Sequence, residues 1–297
     1  MSTAPRVVVT GATGFIGSAL LPLLSVQSSE IAVVTRPGRA LDLKDVACLD
    51  AEGSELVERI AEFSPDAVIH LATHFLANHE VADISTLMRS NIEFGTFVLE
   101  GASACSARVL NVNSAWQHVD GADYSPVSLY AATKQAFSDI STYYAQVRGL
   151  DVRDVTLFDS YGPGDTRMKL VPMLLAAAKS GATLDMSDGQ QLIDLTFVED
   201  VASGVVHAAL AHDIPTSTVV RSWSPLSVRE VVARVEAVTG ASIAVNWGVR
   251  PTRPREMRSD WVFGTALPGW QPKVGFDEGL SRCWDVTGDF AGGSGAA

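Results

Sequence analysis

Arg6-Val7-Val8-Val9-Thr10-Gly11-Ala12-Thr13-Gly14-Phe15-Ile16-Gly17 decides how the rest of the 297 residues is read. Residues 6–10 are a short apolar, β-branched run, the pattern of a buried strand. Glycines follow at 11, 14 and 17, and Ser18-Ala19-Leu20-Leu21 opens a helix. Strand, glycine turn and helix is the order of a dinucleotide-binding unit. In that reading Gly11 permits the tight turn, Gly14 lets the backbone approach a pyrophosphate, and Gly17 lets the helix pack close to the strand. The first N–H groups of the helix face the phosphates with a partial positive charge. The spacing is G-x-x-G-x-x-G, for which a bare glycine turn is the competing reading. The strand before it and the helix after it favour cofactor binding.

Outward from this stretch, strands and helices alternate. Ile31–Thr35 reads as the second strand, followed by Arg36-Pro37-Gly38-Arg39. An acid at that strand end would bind the ribose hydroxyl of NAD, whereas an arginine suits the 2′-phosphate of NADP. Arg36, with Arg39 close by, favours NADP and leaves NAD possible. Asp45–Asp50 reads as a third strand, with Asp50 placed to meet the adenine edge. Leu56–Phe63 has helical apolar spacing. Ala67–Thr73 reads as the fourth strand and residues 74–79 as its exit loop. Asn91–Glu100 belongs to the next helix, and Arg108–Asn113 is a fifth strand ending at Ser114. This alternation predicts an α/β fold, a Rossmann-type doubly wound parallel sheet joined by right-handed crossovers. Its ligands sit beyond the carboxyl ends of the strands, at 10–17, 35–39, 73–79 and 114–118.

Length allows one large domain or one and a half. The expected division is a dinucleotide-binding domain over 1–165, its sheet completed by residues near 190–212. A smaller α/β substrate domain over 166–290 and a flexible tail over 291–297 follow. Net charge is −12, which argues against nucleic acid or an anionic membrane as partner. Cys48, Cys105 and Cys283 are few and far apart, giving neither a disulfide framework nor metal spacing. That suits a reduced, cytoplasmic setting. The apolar stretch 7–26 contains three glycines and Pro22, which makes a poor signal peptide or membrane span.

Tyr130-Ala131-Ala132-Thr133-Lys134 lies at the start of a helical pattern running to about Val147. Four residues apart, Tyr130 and Lys134 share one helix face. A phenol with a pKa of about 10 exchanges protons poorly at neutral pH, and a nearby ammonium favours the phenolate. Ser114 can offer a hydroxyl to the same substrate oxygen. Together with a nicotinamide hydride, the three residues suit reduction of a carbonyl. A Y-x-x-x-K pair alone is more often a surface pair; the glycine turn and the strand-end serine reverse that balance.

These motifs resemble the extended short-chain dehydrogenase/reductases, the NAD-dependent epimerase/dehydratase family. The resemblance rests on residues 10–17, Ser114 and YAATK at 130–134. It also rests on Asn91 with Gly95 and Thr96, Leu157-Phe-Asp-Ser-Tyr-Gly-Pro-Gly164, and Phe197-Val-Glu-Asp-Val201. It covers about residues 6–210. It implies cofactor contacts from Gly11, Thr13, Gly14, Phe15, Ile16 and Gly17, and from Arg36 and Asp50. It further implies contacts from Leu71, Ala72, Asn91, Tyr130, Lys134, Phe158 and Ser160. It implies Ser114, Tyr130 and Lys134 as catalytic residues, a nucleotide-diphosphate sugar as substrate and often a homodimer through paired helices.

Dehydratases of the family carry an acid after the fifth strand; here Ser114-Ala115-Trp116 has none. Asn113-Ser-Ala-Trp-Gln-His118 and Leu129–Phe137 are most similar to the CDP-abequose synthase and deoxysugar 4-ketoreductase branch, as is the short interval from Ser114 to Tyr130. The resemblance therefore implies an NADPH-dependent 4-ketoreductase of a nucleotide-linked 4-keto-6-deoxyhexose. A nucleotide-sugar epimerase and a non-catalytic dinucleotide sensor are the alternatives. His74, Trp116, Gln117 and His118 are expected to face the sugar, with a satisfied structural role as the competing reading for the two histidines. Arg253 or Arg255, in the most basic stretch of an acidic chain, is expected to hold the diphosphate. Ile193 stands where relatives carry an arginine before Asp194, so no role passes to that pair. No residue grouping suggests a metal. Ser227 with Glu230 reads as a capping box opening a helix at 229–238.

Overall fold

A computed structural model of the chain describes residues 4–38, 45–253, 255–260 and 263–288. Arg39 and the expected tail at 291–297 lie outside the described residues. The chain divides into two compact units. The first takes residues up to 157 together with 202–220 and 263–270; the second takes 158–201, 221–262 and the residues from 271 onward.

The first unit is built on a seven-stranded sheet. β1 (Arg6–Thr10) pairs with β2 (Glu30–Thr35) on one side and β4 (Ala67–His70) on the other. β3 (Ala47–Asp50) extends the sheet beyond β2, while β5 (Arg108–Ser114), β6 (Val152–Leu157) and Ser217–Val220 follow β4 in that order. Every one of these pairings is parallel. Helices cover both faces of such a sheet, so its strands are continuous apolar runs; Val7, Val8 and Val9 are fully buried. The chain winds outward from β1 to β3 and then returns to β4 on the other side of β1. A crevice opens where the winding reverses, at the carboxyl ends of β1 and β4.

Two boundaries differ from expectation. β4 ends at His70, because Leu71 N–H bonds the Thr10 carbonyl and Ala72 N–H bonds Thr10 Oγ, drawing the chain over the glycine turn. The strand that completes the sheet is Ser217–Val220, not a segment within 190–212. Leu195–Phe197 pairs with Asp159–Tyr161 in the second unit, and Val198–Leu210 is a helix. The division at 157, rather than 165, follows the end of β6.

The helices of the first unit include α1 (Phe15–Ser25), α2 (Gly53–Phe63), α3 (Ile84–Met88), α4 (Phe94–Cys105) and α5 (Leu129–Arg148). α3 and α4 are joined by a turn of π-helix, Arg89–Glu93. α5 starts at Ser128, whose Oγ accepts the Ala131 N–H, and stops at Gly149 in the left-handed region. Its buried residues include Tyr130, Lys134, Phe137, Ser141 and Tyr144, the three- and four-residue spacing of one face. Phe137 lies against Gly95 so closely that a Cβ there would come within 2.4 Å of its ring. This contact sets the approach of α4 to α5.

The second unit contains three short strand pairs and the helices Leu170–Ser180, Val228–Thr239 and Phe276–Gly288. Its core includes Tyr161, Leu174, Phe197, Val231, Val235 and Leu280. Ser227 and Glu230 form the capping box that the sequence suggests. Among the described residues no helix is long and apolar enough to cross a membrane.

Candidate active site

The glycine turn lies at the crevice of the first unit. Gly11 adopts φ +71°, and a Cβ on it would sit 2.7 Å from Ala72 N. A Cβ on Gly17 would sit 2.3 Å from the Gly11 carbonyl oxygen. Both positions therefore exclude a side chain, one through conformation and contact, the other through packing. Gly14 caps α1 without any side-chain hydrogen bond to its first N–H groups. This bare cradle fits the pyrophosphate of a dinucleotide. Thr13 is exposed and Phe15 and Ile16 half-buried in the same turn. Leu71 and Ala72 are half-buried against it.

At the end of β2, Thr35 is buried and Arg36 exposed. β3 runs alongside with Asp50 in register with Thr35. Asp50 accepts the Gly38 N–H at 3.2 Å, fixing the turn that carries Arg36. Arg36 and Asp50 thus occupy neighbouring strand ends.

Ser114 closes β5 and caps the single turn Ala115–Gln117. Its Oγ accepts the Trp116 N–H at 3.3 Å, while Gln117 Oε1 accepts the Ser114 N–H at 3.0 Å. With Oγ acting as acceptor there, its proton is available to donate elsewhere. The chain then doubles back: Ser125 N–H bonds the Gln117 carbonyl and Val127 N–H bonds the Trp116 carbonyl. The interval between Ser114 and Tyr130 is therefore a closed loop that returns to its origin just before α5 begins.

Tyr130 and Lys134 are buried on the first turns of α5. Lys134 is 3% exposed, and its ammonium makes no hydrogen bond to a described residue. Burial pulls its pKa down to about 8, against the opposing attraction of Asp154. Below it, His70 Nδ1 lies 2.9 Å from Thr10 Oγ, and the ring packs against Phe94 and Phe137. Burial, and then the Lys134 charge, lower the His70 pKa to about 3, so the ring is neutral. A weakened ammonium one turn from a phenol is an arrangement able to hold and release a proton near neutral pH.

Three expectations are corrected. Asn91 does not present its side chain to a cofactor. It is 2% exposed, and its amide accepts from Thr73 Oγ and His74 N–H while donating to His74 O and Thr133 Oγ. Those four bonds use its full capacity, so it clamps the β4 exit loop to α5. Its place in the π-turn gives it the reach for both. Gln117 does not face a sugar: it is 1% exposed and bonded to Ser114 and Gln135. His118 is likewise buried, its Nδ1 2.8 Å from the Asp123 carbonyl and its ring stacked on Phe263 at 3.5 Å.

Trp116 and His74 remain half-buried at the crevice. Between Trp116 and Tyr130 stands Phe75, 37% exposed, its ring edge-on to both at 5.3 and 5.0 Å. Nothing in the sequence marked Phe75. It lies in a loop without periodicity.

The other expected residues lie in the second unit. Phe158 carries the Arg221 guanidinium on its face at 4.3 Å. Ser160 is buried, with its carbonyl and hydroxyl oxygens both held by Arg167. Arg253 and Arg255 are exposed, while Arg258 nearby is held by Asp188 at 2.9 Å. Asp194 is paired with Arg221 at 2.7 Å.

Comparison with known proteins shows the family and the fold. The chain is 24% identical to the CDP-abequose synthase of Yersinia pseudotuberculosis over 262 residues, 82% of this chain and 88% of that protein. It is 25% identical to the CDP-abequose synthase of Salmonella typhimurium, over 93% and 96% of the two chains. Among solved structures, the UDP-glucose 4-epimerase of Thermus thermophilus in complex with NAD superposes with a TM-score of 0.78 at 25% identity. That match covers 97% of this chain and 99% of the other. The sequence pattern of the NAD dependent epimerase/dehydratase family matches residues 7–220. The chain belongs to that family, the extended short-chain dehydrogenase/reductases, and is an NAD(P)-dependent enzyme of that class.

Proposed function

We propose that this enzyme reduces the C4 ketone of a nucleotide-linked 4-keto-6-deoxyhexose, with NADPH as the preferred cofactor. The observation that carries the reading is a donor-ready Ser114 together with Tyr130 and an uncommitted Lys134 on α5, with no carboxylate in the two positions after Ser114. Ala115 and Trp116 occupy the positions after Ser114. Without an acid there, the chain lacks the group a dehydratase uses to expel water. The similarity to two CDP-abequose synthases supports a deoxysugar substrate.

Bound NADPH supplies the hydride. Ser114 donates its hydroxyl proton to the carbonyl oxygen in a hydrogen bond and orients it. Tyr130 transfers its proton to that oxygen as the carbon is reduced, leaving a secondary alcohol. The Lys134 ammonium stabilises the resulting phenolate, and Asn91 keeps the loop at 73–74 fixed against α5. Gly11, Gly14 and Gly17 form the pyrophosphate cradle, and Arg36 meets the 2′-phosphate where an NAD enzyme would carry an acid.

The test follows NADPH absorbance with dTDP-4-keto-6-deoxyglucose and with its CDP counterpart, each repeated with NADH. Oxidation of NADPH in preference to NADH is the expected result. An altered sugar without net cofactor oxidation would instead identify an epimerase. No change in either would overturn the substrate assignment.

A further inference from the structure

Three polar residues beneath α5, two of them buried and the third, Asp154, half-buried, have no part in the proposed chemistry. Asn111 and Asn113 lie two apart on one face of β5, and Asp154 lies on β6 in register with Asn111. Asn111 is fully buried and Asn113 8% exposed. Each donates its amide N–H to Asp154 Oδ1 at 2.8 Å. Ser138, one turn beyond Lys134, lies 3.1 Å from Asn113 Oδ1 and 3.2 Å from the Lys134 carbonyl oxygen. Its single hydroxyl proton serves one of the two at a time. This network ties β6, through β5, to the helix segment that carries Lys134.

An aspartate within a strand covered by a helix runs against both strand preference and the cost of burying charge. Burial pushes the Asp154 carboxyl up, while Asn111, Lys134 and Asn113 draw it back down. The groups around Lys134 are few. His70 from β4 is neutral, Tyr130 lies on its own helix, and the Phe137 ring centroid is 5.7 Å from Nζ. Asp154 is the group whose charge favours the ammonium.

We propose that Asp154 is a positioning residue of the active site: a half-buried counter-charge on β6, fixed by Asn111 and Asn113, that keeps Lys134 an ammonium one helical turn from Tyr130. The assignment rests on the reading of Tyr130 and Lys134 as the proton-handling pair. The asparagines hold Asp154 Oδ1, and no hydrogen bond or ion pair joins the carboxylate to the Lys134 ammonium. Lys134 thus receives the charge without a direct contact that would hold it away from a ligand.

Asp154→Asn is a suitable probe, because its amide oxygen can still accept from both asparagines and only the charge is lost. Ser138→Ala removes the hydroxyl link and keeps the charge. The Lys134 Cε resonance of full-length protein carrying carbon-13-labelled lysine, assigned by its absence in Lys134→Met, is followed against pH. In Asp154→Asn its midpoint is expected about one pH unit lower than in the parent, while Ser138→Ala titrates as the parent does. The alkaline limb of kcat/KM should move in the same direction. An unmoved midpoint in Asp154→Asn, or an equal shift in Ser138→Ala, would overturn the proposal. If Asp154→Asn does not fold, Asp154→Ser gives the same reading. The resonance is read without substrate, so failure of the ketoreductase assignment leaves this result distinct.

Discussion

Two buried cations, one in each unit, are held in opposite ways. Arg221, 1% exposed, donates to Asp194 at 2.7 Å and to Asp260 at 2.9 Å, and its guanidinium lies over Phe158 and Trp223 at 4.3 and 4.9 Å. Asp194 in turn accepts the Ser222 N–H at 2.7 Å. Lys134, 3% exposed, has an ammonium with no hydrogen bond to a described residue. A charge surrounded by its own partners serves the fold and has no capacity left for a ligand. A charge buried and left uncommitted weakens the fold, and such a group persists where chemistry uses it.

Removing each cation's function separates the two most sharply. Lys134→Met should lower kcat by about 10²–10⁴-fold, with Tm no lower than the parent's, because the substitution removes a desolvated ammonium. Asp194→Ala should strip Arg221 of its buried carboxylate and cost about 3–5 kcal/mol, read as a lower urea midpoint. A Lys134→Met protein as unstable as Asp194→Ala would erase the distinction.

Acid sharpens the comparison from the first unit's side. The His70 pKa is lowered to about 3 in the fold by burial and by Lys134, against about 6.5 in an unfolded chain. The unfolded chain therefore binds the proton first, and the His70 contribution is lost as pH falls from about 6.5 towards about 3. By pH 5 the loss is roughly 2 kcal/mol. Urea midpoints at neutral pH and near pH 5 should diverge less in His70→Phe than in the parent. Equal divergence would remove His70 as the source.

The parts of the molecule legible in the sequence are those set by neighbours along the chain. β1, the glycine turn and α1 occupy consecutive residues, and Tyr130 and Lys134 meet because α5 turns once between them. Asn91 was legible as a motif but not as a clamp, since its partners at 73, 74 and 133 come from separate elements. Gln117 looked like a substrate contact because it follows the strand-end serine; the need to satisfy the Ser114 N–H turns it inward. Phe75 and Arg221 gave no signal. One sits in an aperiodic loop, and the other reaches its partner Asp194 from 27 residues away.

The smallest expected effect tests whether the second unit's cation is held by its buried partner or by both. Asp260 is 51% exposed where it meets Arg221, whereas Asp194 is fully buried. Water screens the outer pair, and its loss leaves Arg221 still neutralised by Asp194 and packed between two rings. Asp260→Asn should therefore cost no more than about 1 kcal/mol, a shift in urea midpoint well below that of Asp194→Ala. The isosteric amide keeps an oxygen able to accept from Nη2, so what is lost is charge alone. A cost as large as that of Asp194→Ala would mean that Arg221 needs two carboxylates to stay buried. The contrast with Lys134 would then lie in the number of charges each cation requires, not in whether its hydrogen bonds are filled.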